Sequence, residues 1–343
     1  TTPQMVLKGA NTENETVEVR LWLCRVPPKS AEFAADAVPL WPHLQQMDTL
    51  ARKVCGDNPD AEYHHVQIDG EYDYIIRGNI GTVRYLGFTI TGGKGMTPRR
   101  QVGYINDQEL NIDSNGDFTL LLAKQRPNVD ALGNTDTPAN WIEIPSDASG
   151  ILVRQYIANR DVEILPTLAI EVLGDKPTLT PPSDDEIAGS LIGTNYAFLK
   201  LSTLHKTGLP ELLEQTNGFI QTTSESLGGA ISGADNLYMV GSFQLEQDQA
   251  LIIKVQPPKS RYWNLTLESR WHETPDYLHR PVSLTLEEVE YGEDGSVEFV
   301  IAHRDPGHPN WLDTRGHNFG FMTFRWLDSK GEGVPMPDVN VVK

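Results

Sequence analysis

Alternating hydrophobic and polar positions predict β-strands along most of the chain. Residues 71–78 (EYDYIIRG) and 82–90 (TVRYLGFTI) are typical of two strands joined by a glycine-containing turn. Runs of the same kind follow at 116–123, 150–157 and 161–173, separated by Gly, Pro, Asn and Asp. Short strands divided by such turns favour a β-sandwich or a jelly roll.

Other parts of the chain show helical spacing instead. Hydrophobic residues within 39–56 recur every three or four positions, and a glycine ends the run. In the middle of the chain, Ser183 and Glu186 form a capping box ahead of an apolar segment. Pro210 fits the first turn of a further helix that we predict to extend to about Leu227.

The β pattern occurs twice, in the same order. Residues 75–90 (IIRGNIGTVRYLGFTI) align without a gap with residues 252–267 (IIKVQPPKSRYWNLTL). Three later pairs of segments also match, the last with one extra residue: 115–127 with 294–306, 140–142 with 310–312, and 150–156 with 320–326. A repeat of this length indicates an internal duplication. Residues shared by both copies are expected to be scaffold, and chemistry found in one copy is a candidate for function.

We therefore predict a mainly β protein with a helical insert, built as two similar β-sandwich or jelly-roll units from an internal duplication. The expected segments are an N-terminal strand and helix over 1–55, a first β repeat over 56–174, a helical insert or linker over 175–232, and a second β repeat over 233–343. Two separate domains and two halves of one larger β body both fit this pattern.

Charge and composition limit the classes of partner. The chain has 28 Lys and Arg against 47 Asp and Glu, a formal net charge of −19, which disfavours nucleic acid and anionic membrane surfaces. No apolar run approaches the roughly 20 residues that span a bilayer. Cys24 and Cys55 are too few for a disulfide framework, so they form either a single pair or two separate thiols. A cytoplasmic location is favoured, and a periplasmic or secreted one follows if a leader preceded Thr1.

Two strings carry a family resemblance. Residues 305–326 (DPGHPNWLDTRGHNFGFMTFRW), preceded by RYWNLTL and an EDG turn, resemble the bacterial domain of unknown function 1214. Residues 58–90 resemble the region upstream of that domain in tandem 1254/1214 proteins, so the resemblance covers about residues 40–330. It implies β-sandwich or jelly-roll units with added helices. It implies no reaction, because fold does not determine function.

Candidate catalytic chemistry collects in the second copy. Five of the nine histidines lie between residues 272 and 317, and His303 and Asp305 stand where the first copy has Lys124 and Arg126. The candidate catalytic residues are His303, Asp305, His308 and His317. General acid–base catalysis, a Zn or Mn site and a structural role all fit these residue types. Their spacing identifies no particular metal or cofactor.

Candidate ligand-binding residues lie in the same copy, and they are Trp263, Trp271, Tyr277, Arg280 and Asp313. Aromatic side chains can stack on sugar or aromatic rings. Trp263 replaces a leucine of the first copy, and Trp271 lies in a segment, 270–281, that the first copy matches poorly. These residues predict a small-molecule or carbohydrate-like ligand.

Two hypotheses about function follow. One is an enzyme that acts on a small polar or glycosidic molecule by hydrolysis or elimination. The alternative is a non-catalytic ligand-binding or assembly protein built on the two β units, and an oligomer is compatible with either. We expect His303 and Asp305 at the mouth of a cavity, with His308 or His317 within reach, whereas the matched residues of the first copy should face solvent.

Overall fold

The structure is a computed structural model, and it describes residues 4–10, 16–22, 42, 44–47, 53, 56–93, 97, 99–126, 139–175, 183–222, 233, 235–329 and 334–343. The chain forms two compact units, Thr1–Trp41 and Pro42–Lys343. In the first unit, β1 (Gln4–Ala10) pairs antiparallel with β2 (Thr16–Trp22). The second unit contains both copies of the repeat.

The first copy folds into two sheets. Its described strands are β3 (Gln45–Gln46), β4 (Ala61–Gln67), β5 (Asp73–Asn79), β6 (Tyr85–Gly92), β7 (Arg100–Asn106), β8 (Asp117–Ala123), β9 (Ala139–Glu143), β10 (Ala148–Tyr156) and β11 (Thr167–Leu173). A five-stranded sheet has the order β3-β4-β10-β6-β7, and a four-stranded sheet has the order β11-β5-β8-β9.

Helices and a second pair of sheets follow along the chain. The described elements are α1 (Asp184–Ser202), α2 (Leu204–Thr207), α3 (Glu211–Glu214), β12 (Gly218–Thr222), β13 (Asn236–Gln244), β14 (Ala250–Val255), β15 (Trp263–Glu268), β16 (Ser283–Thr285), β17 (Val297–Ala302), β18 (Trp311–Asp313), β19 (Phe319–Leu327) and β20 (Asp338–Val342). The five-stranded sheet is β12-β13-β19-β15-β16, and the four-stranded sheet read from its other edge is β20-β14-β17-β18.

The two halves match strand for strand, which confirms a mainly β fold of two similar units. Each sheet of the second half repeats the order of its counterpart in the first. Described neighbouring strands are antiparallel except for one parallel pair in each half. β8 pairs in parallel with β9, and the equivalent β17 pairs in parallel with β18. Arg154 donates to Thr89 at 2.7 Å, and the equivalent Arg325 donates to Thr266 at 3.2 Å.

The central strands of the second half are buried on both faces. The inner faces of the two sheets of the second half share one core, which includes Phe299 from β17, Phe324 from β19 and Val339 from β20. The outer face of the five-stranded sheet is covered as well, since Leu212 of α3 packs against Tyr238. β15 is therefore buried along its whole length, with Trp263, Leu265 and Leu267 in the core and polar residues at the alternate positions.

The junction between the halves is a stack of tyrosine rings. Tyr156 lies between Tyr85 and Tyr262, with ring centroids 4.8 and 4.9 Å away. The amide of Asn236, from the second half, donates to the Tyr156 hydroxyl at 2.6 Å. An ion pair of 2.6 Å also joins Arg261 of the second half to Asp107 of the first. The halves therefore pack as parts of one body.

The helical segment differs from the sequence prediction. Of the helix expected from Pro210 to about Leu227, Glu211–Glu214 are helical and Gly218–Thr222 form β12 instead, while residues 223–227 lie outside the described residues. Pairing with β13 supplies backbone partners and buries Phe219, and this tertiary contact outweighs local helix propensity. Within the helix predicted over 39–56, Gln45–Gln46 form β3, and most other positions lie outside the described residues.

Candidate functional site

A cavity of about 520 Å³ opens beside the loop that joins β15 to β16 in the second half. The residues on its wall that bear on chemistry are Lys53, Trp271, Glu273, Asp276, Tyr277 and His317. Most of this wall comes from the 270–281 segment, the part of the second copy that the first copy matches poorly. The cavity therefore belongs to the unshared part of the duplication.

Exposed and buried residues alternate along the first part of this loop. Trp271 and Glu273 are exposed, whereas His272 and Thr274 are buried. The buried residues are bonded to the segment before β4: the Gly56 amide donates to the His272 carbonyl at 2.7 Å, and the Thr274 hydroxyl donates to the Asp57 carbonyl at 2.6 Å. Anchored in this way, the loop holds its outward side chains in place.

Behind the loop, a carboxylate and two imidazoles form a buried chain of hydrogen bonds. His272 Nδ1 lies 3.1 Å from Glu268 Oε2, and His272 Nε2 lies 3.2 Å from Nδ1 of His205 on α2. Thr323 donates to the other Glu268 oxygen at 2.8 Å, and Arg325 Nη2 lies 4.0 Å from that oxygen. His272 has a φ of 58°, a left-handed backbone conformation that is uncommon for non-glycine residues.

Electrostatics keep the two ends of this chain in different states. Burial alone would raise the pKa of Glu268, but the hydrogen bond from His272 and the charges of His272 and Arg325 outweigh it and lower that pKa. Burial lowers the pKa of His205, and the nearby charges of His272, Lys206 and Arg270 lower it further. Near neutral pH, Glu268 is therefore ionised and His205 is neutral.

Among the residues that the structure describes, the first half has no equivalent of this chain of hydrogen bonds. Extending the alignment of 75–90 with 252–267 by one position places Thr91 where the second half has Glu268. The strand pairing agrees, and it also places Leu152 at the position of Thr323. Sequence reasoning did not identify His205, because 67 positions separate it from His272 and it shares no motif with it.

Some predicted ligand-binding residues meet at the cavity. Trp271 and Tyr277 lie on its wall, and the Trp271 side chain is 59% exposed. The ammonium group of Lys53 lies 5.0 Å from the centroid of the Tyr277 ring and donates to the carbonyls of Thr274 and Pro275. Lys53 therefore closes one side of the cavity.

Arg280 and Asp313 pair with each other at 3.5 Å, and neither lines the cavity. Asp313 is buried and accepts the Arg315 amide at 2.7 Å, so it orders the turn after β18. This arrangement differs from the expected ligand contact, because the carboxylate is already bonded within its own loop.

Trp263 also differs from the expected role. Its side chain is only 2% exposed and packs in the core, with ring centroids 5.3 Å from Trp326 and 6.4 Å from Phe299. The ring fills space that the smaller leucine occupies in the first half, so it stabilises the core and does not reach the cavity.

The four expected catalytic residues, His303, Asp305, His308 and His317, make different local contacts. Of these four, His317 lies on the cavity wall and the other three do not. The His303 ring nitrogens lie 2.7 Å from the Thr314 hydroxyl and 3.4 Å from the Leu245 carbonyl. The turn after β17 causes the difference: Asp305 is exposed and accepts the Gly307 amide at 2.7 Å, and His308 Nδ1 accepts the Asn310 amide at 3.1 Å.

The matched residues of the first half face solvent, as expected. Lys124 is exposed and pairs with Glu71 at 2.7 Å, and Arg126 is exposed.

A metal site receives no support, since within the described ranges no three His, Cys, Asp or Glu side chains are arranged to hold an ion. Within those ranges, no helix combines the length and apolar character needed to cross a membrane.

The fold consists of two similar β-sandwiches, one in each half, with an inserted helical segment. Residues 242–330 match the model of a family described as a protein of unknown function (DUF1214), which confirms the resemblance for that segment. No curated protein matches the chain.

Two solved structures share the architecture. An uncharacterised protein from Burkholderia cenocepacia is 25% identical, with a TM-score of 0.75 over 90% of this chain and 83% of its own. A protein from Vibrio parahaemolyticus, 14% identical, has a TM-score of 0.51 over 84% of this chain and 90% of its own, a likeness of fold alone.

Proposed function

We propose that the cavity beside the 270–281 segment binds a small polar molecule with a flat apolar face, of which a carbohydrate is the best example. The observation that carries this proposal is Trp271, a large ring left exposed on the wall beside the carboxylates of Glu273 and Asp276. The face of a sugar ring stacks on an aromatic side chain, and its hydroxyl groups donate to carboxylates.

Electrostatics support the role of Asp276 as an acceptor. The hydrogen bond from His279, 2.9 Å long, lowers the pKa of Asp276, so this carboxylate is ionised at neutral pH. An ionised carboxylate offers only acceptor sites, which suits a ligand rich in hydroxyl groups.

Preorganisation of the loop supports binding as well. The wall is held by buried bonds from His272 and Thr274 to the segment before β4, so a ligand does not have to order it. Ligand sites combine apolar lining with a few fixed polar groups, and this wall has both. A loop ordered in advance reduces the entropy that binding costs.

A second candidate function is hydrolysis of a glycosidic bond in the same cavity. It is favoured by the presence of two carboxylates, Glu273 and Asp276, on one wall, because glycosidases use a pair of Asp or Glu side chains around the scissile bond. His317 is the one predicted catalytic residue that lies with them, and it could act as an alternative acid or base.

Titration with monosaccharides and disaccharides, followed by tryptophan fluorescence and native mass spectrometry, tests the proposal. We expect Trp271→Ala to weaken binding about tenfold, since an aromatic contact contributes about 0.5–1.5 kcal/mol. Trp271→Phe should lose less because it keeps a ring. Met336→Ala, which removes an exposed apolar side chain that does not line the cavity, should have no effect.

The same experiment separates binding from hydrolysis. If the cavity hydrolyses its ligand, Glu273→Gln should keep affinity and stop the release of reducing sugar. Retention of ligand by Trp271→Ala at the affinity of the unaltered protein would contradict both functions. If the protein binds the ligand and does not hydrolyse it, the binding function is supported and the hydrolytic one is not.

A further inference from the structure

We infer that α1 is a self-association element, and that it pairs antiparallel with α1 of a second copy of this chain. The helix has 19 residues, and six large apolar side chains on it are between 46% and 67% exposed: Ile187, Leu191, Ile192, Tyr196, Phe198 and Leu199. A helix that is apolar on all sides is normally buried, and a large exposed apolar surface marks an interaction site.

The charges of the helix favour a copy of itself as the partner. Its acidic residues are confined to the first turn and its basic residue, Lys200, lies in the last turn, with no charge between positions 187 and 199. Two such helices attract one another only when they run antiparallel, because each acidic end then meets the basic end of the other helix. The helix dipoles add to this preference.

One antiparallel alignment of the two helices matches both the sizes and the charges of the facing side chains. Positions 185, 189, 192, 193, 196 and 200 lie on one face of α1, since they are three or four residues apart. With a two-fold axis between Ile192 and Gly193, Asp185 lies opposite Lys200 of the second copy, and Tyr196 lies opposite Gly189.

The glycines on this face leave space for the partner's side chains. Apart from the neighbouring residues and the backbone of α1 itself, a Cβ atom added at Gly189 or Gly193 would meet no atom within 4 Å. In the inferred register, Tyr196 of one copy enters the gap at Gly189 of the other, and Ile192 enters the gap at Gly193. Side chains that pack into gaps of a facing helix are the usual contact between paired helices.

Other occupants fit this surface less well. Helices that lie on membrane surfaces carry a polar face rich in Lys and Arg. The face described here has Lys200 alone, and the chain as a whole has a net charge of −19. A pair related by a two-fold axis also repeats every contact twice, which suits the symmetric matching of Asp185 with Lys200. Ile187, Leu191 and Phe198 lie on the opposite side of α1 and stay exposed in the pair. Two pairs can join through these side chains to form a tetramer without changing the contacts inside each pair.

Charge reversal in the full chain, measured by sedimentation equilibrium, tests the inference. We expect the unaltered protein to be a dimer or a tetramer at micromolar concentration. Lys200→Glu and Asp185→Lys should each weaken association about tenfold or more, because each creates two like-charge contacts per pair. The double variant should recover to within about threefold of the original affinity. Lys254→Glu, an equal charge change on β14, should leave association unchanged.

Disulfide trapping fixes the direction of the pair. The background carries Cys24→Ser and Cys55→Ser. The two cysteines of Ile192→Cys lie near the two-fold axis and should cross-link the chains, whereas those of Asp185→Cys lie at opposite ends of the helix pair and should not. Cross-linking at both positions would indicate a parallel pair and overturn the inference. A chain that stays monomeric at roughly 100 μM would overturn it too, as would association that is insensitive to both charge reversals.

Discussion

At the scale of single residues, the two buried arginines show how the duplicated halves diverged. Arg154 and Arg325 occupy the same place and bond to equivalent threonines, so the arginine belongs to the shared scaffold. At the position of Thr91 in the first half, the second half has Glu268, whose Oε1 lies 4.0 Å from Arg325 Nη2. Glu268 in turn aligns His272, and through it the loop that forms the cavity wall.

We predict that Glu268→Gln lowers the free energy of unfolding by about 3 kcal/mol. The change removes the carboxylate that lies 4.0 Å from the buried guanidinium of Arg325, and removing one member of a buried ionic group is costly. Urea unfolding measures the loss. The matched control is Thr91→Val in the first half, which removes one bond of 3.3 Å to the Gly150 carbonyl and should cost less than about 1 kcal/mol. Equal losses in the two variants would show that Glu268 has no special role.

At the scale of elements, sequence patterns predicted strands well and the short elements of the insert poorly. The strands β5, β6, β14 and β15 follow from the aligned segments 75–90 and 252–267. The β12 strand was predicted as helix, because its stability comes from β13, a partner that a local pattern does not include.

The candidate site was predictable in part, for a similar reason. Trp271 and Tyr277 were found because their segment is poorly matched between the copies. Trp263 was misplaced because β15 is buried on both faces, so its alternation does not distinguish a side chain in the core from one in a cavity. The chain from Glu268 to His205 depends on three-dimensional contacts between α2 and the end of β15, which spacing along the sequence does not encode.

The contact between α2 and the sandwich should make stability depend on pH. The pKa of His205 is lowered in the folded protein, so the unfolded chain binds the proton more readily. The stability from neutral His205 is therefore fully present above its ordinary pKa of about 6.5 and is lost as pH falls through the lower folded value.

We expect His205→Phe to flatten the fall in melting temperature between about pH 6.5 and pH 5, because this side chain no longer titrates. Differential scanning fluorimetry across that range provides the measurement. His317→Gln, which removes an exposed imidazole, should keep the slope of the unaltered protein. An unchanged slope in His205→Phe would show that another group controls the response.

At the scale of the whole molecule, the duplicated halves are joined by buried and half-buried groups. Besides the stacked tyrosines, the Asn264 amide donates to Asn58 at 2.8 Å and to Asp60 at 3.0 Å, and Ser283 donates to Asp60 at 2.5 Å. Burial raises the pKa of Asp60, although these hydrogen bonds oppose the rise. Such a junction is costly to open, because each polar group would lose its partner. The two halves should therefore unfold together.

Tyr156 is the best place to test this coupling, because its ring contacts both Tyr85 and Tyr262 and its hydroxyl accepts the Asn236 amide. We predict that Tyr156→Ala lowers the free energy of unfolding by about 3–5 kcal/mol and splits one calorimetric transition of the Pro42–Lys343 unit into two. Tyr156→Phe keeps the stacked ring and should keep a single transition at a lower temperature. If Tyr156→Ala still unfolds in one step, with calorimetric and van't Hoff enthalpies equal, the halves are coupled through the polar groups around Asp60. Splitting of the transition would instead show that the ring stack carries the cooperativity of the duplicated fold.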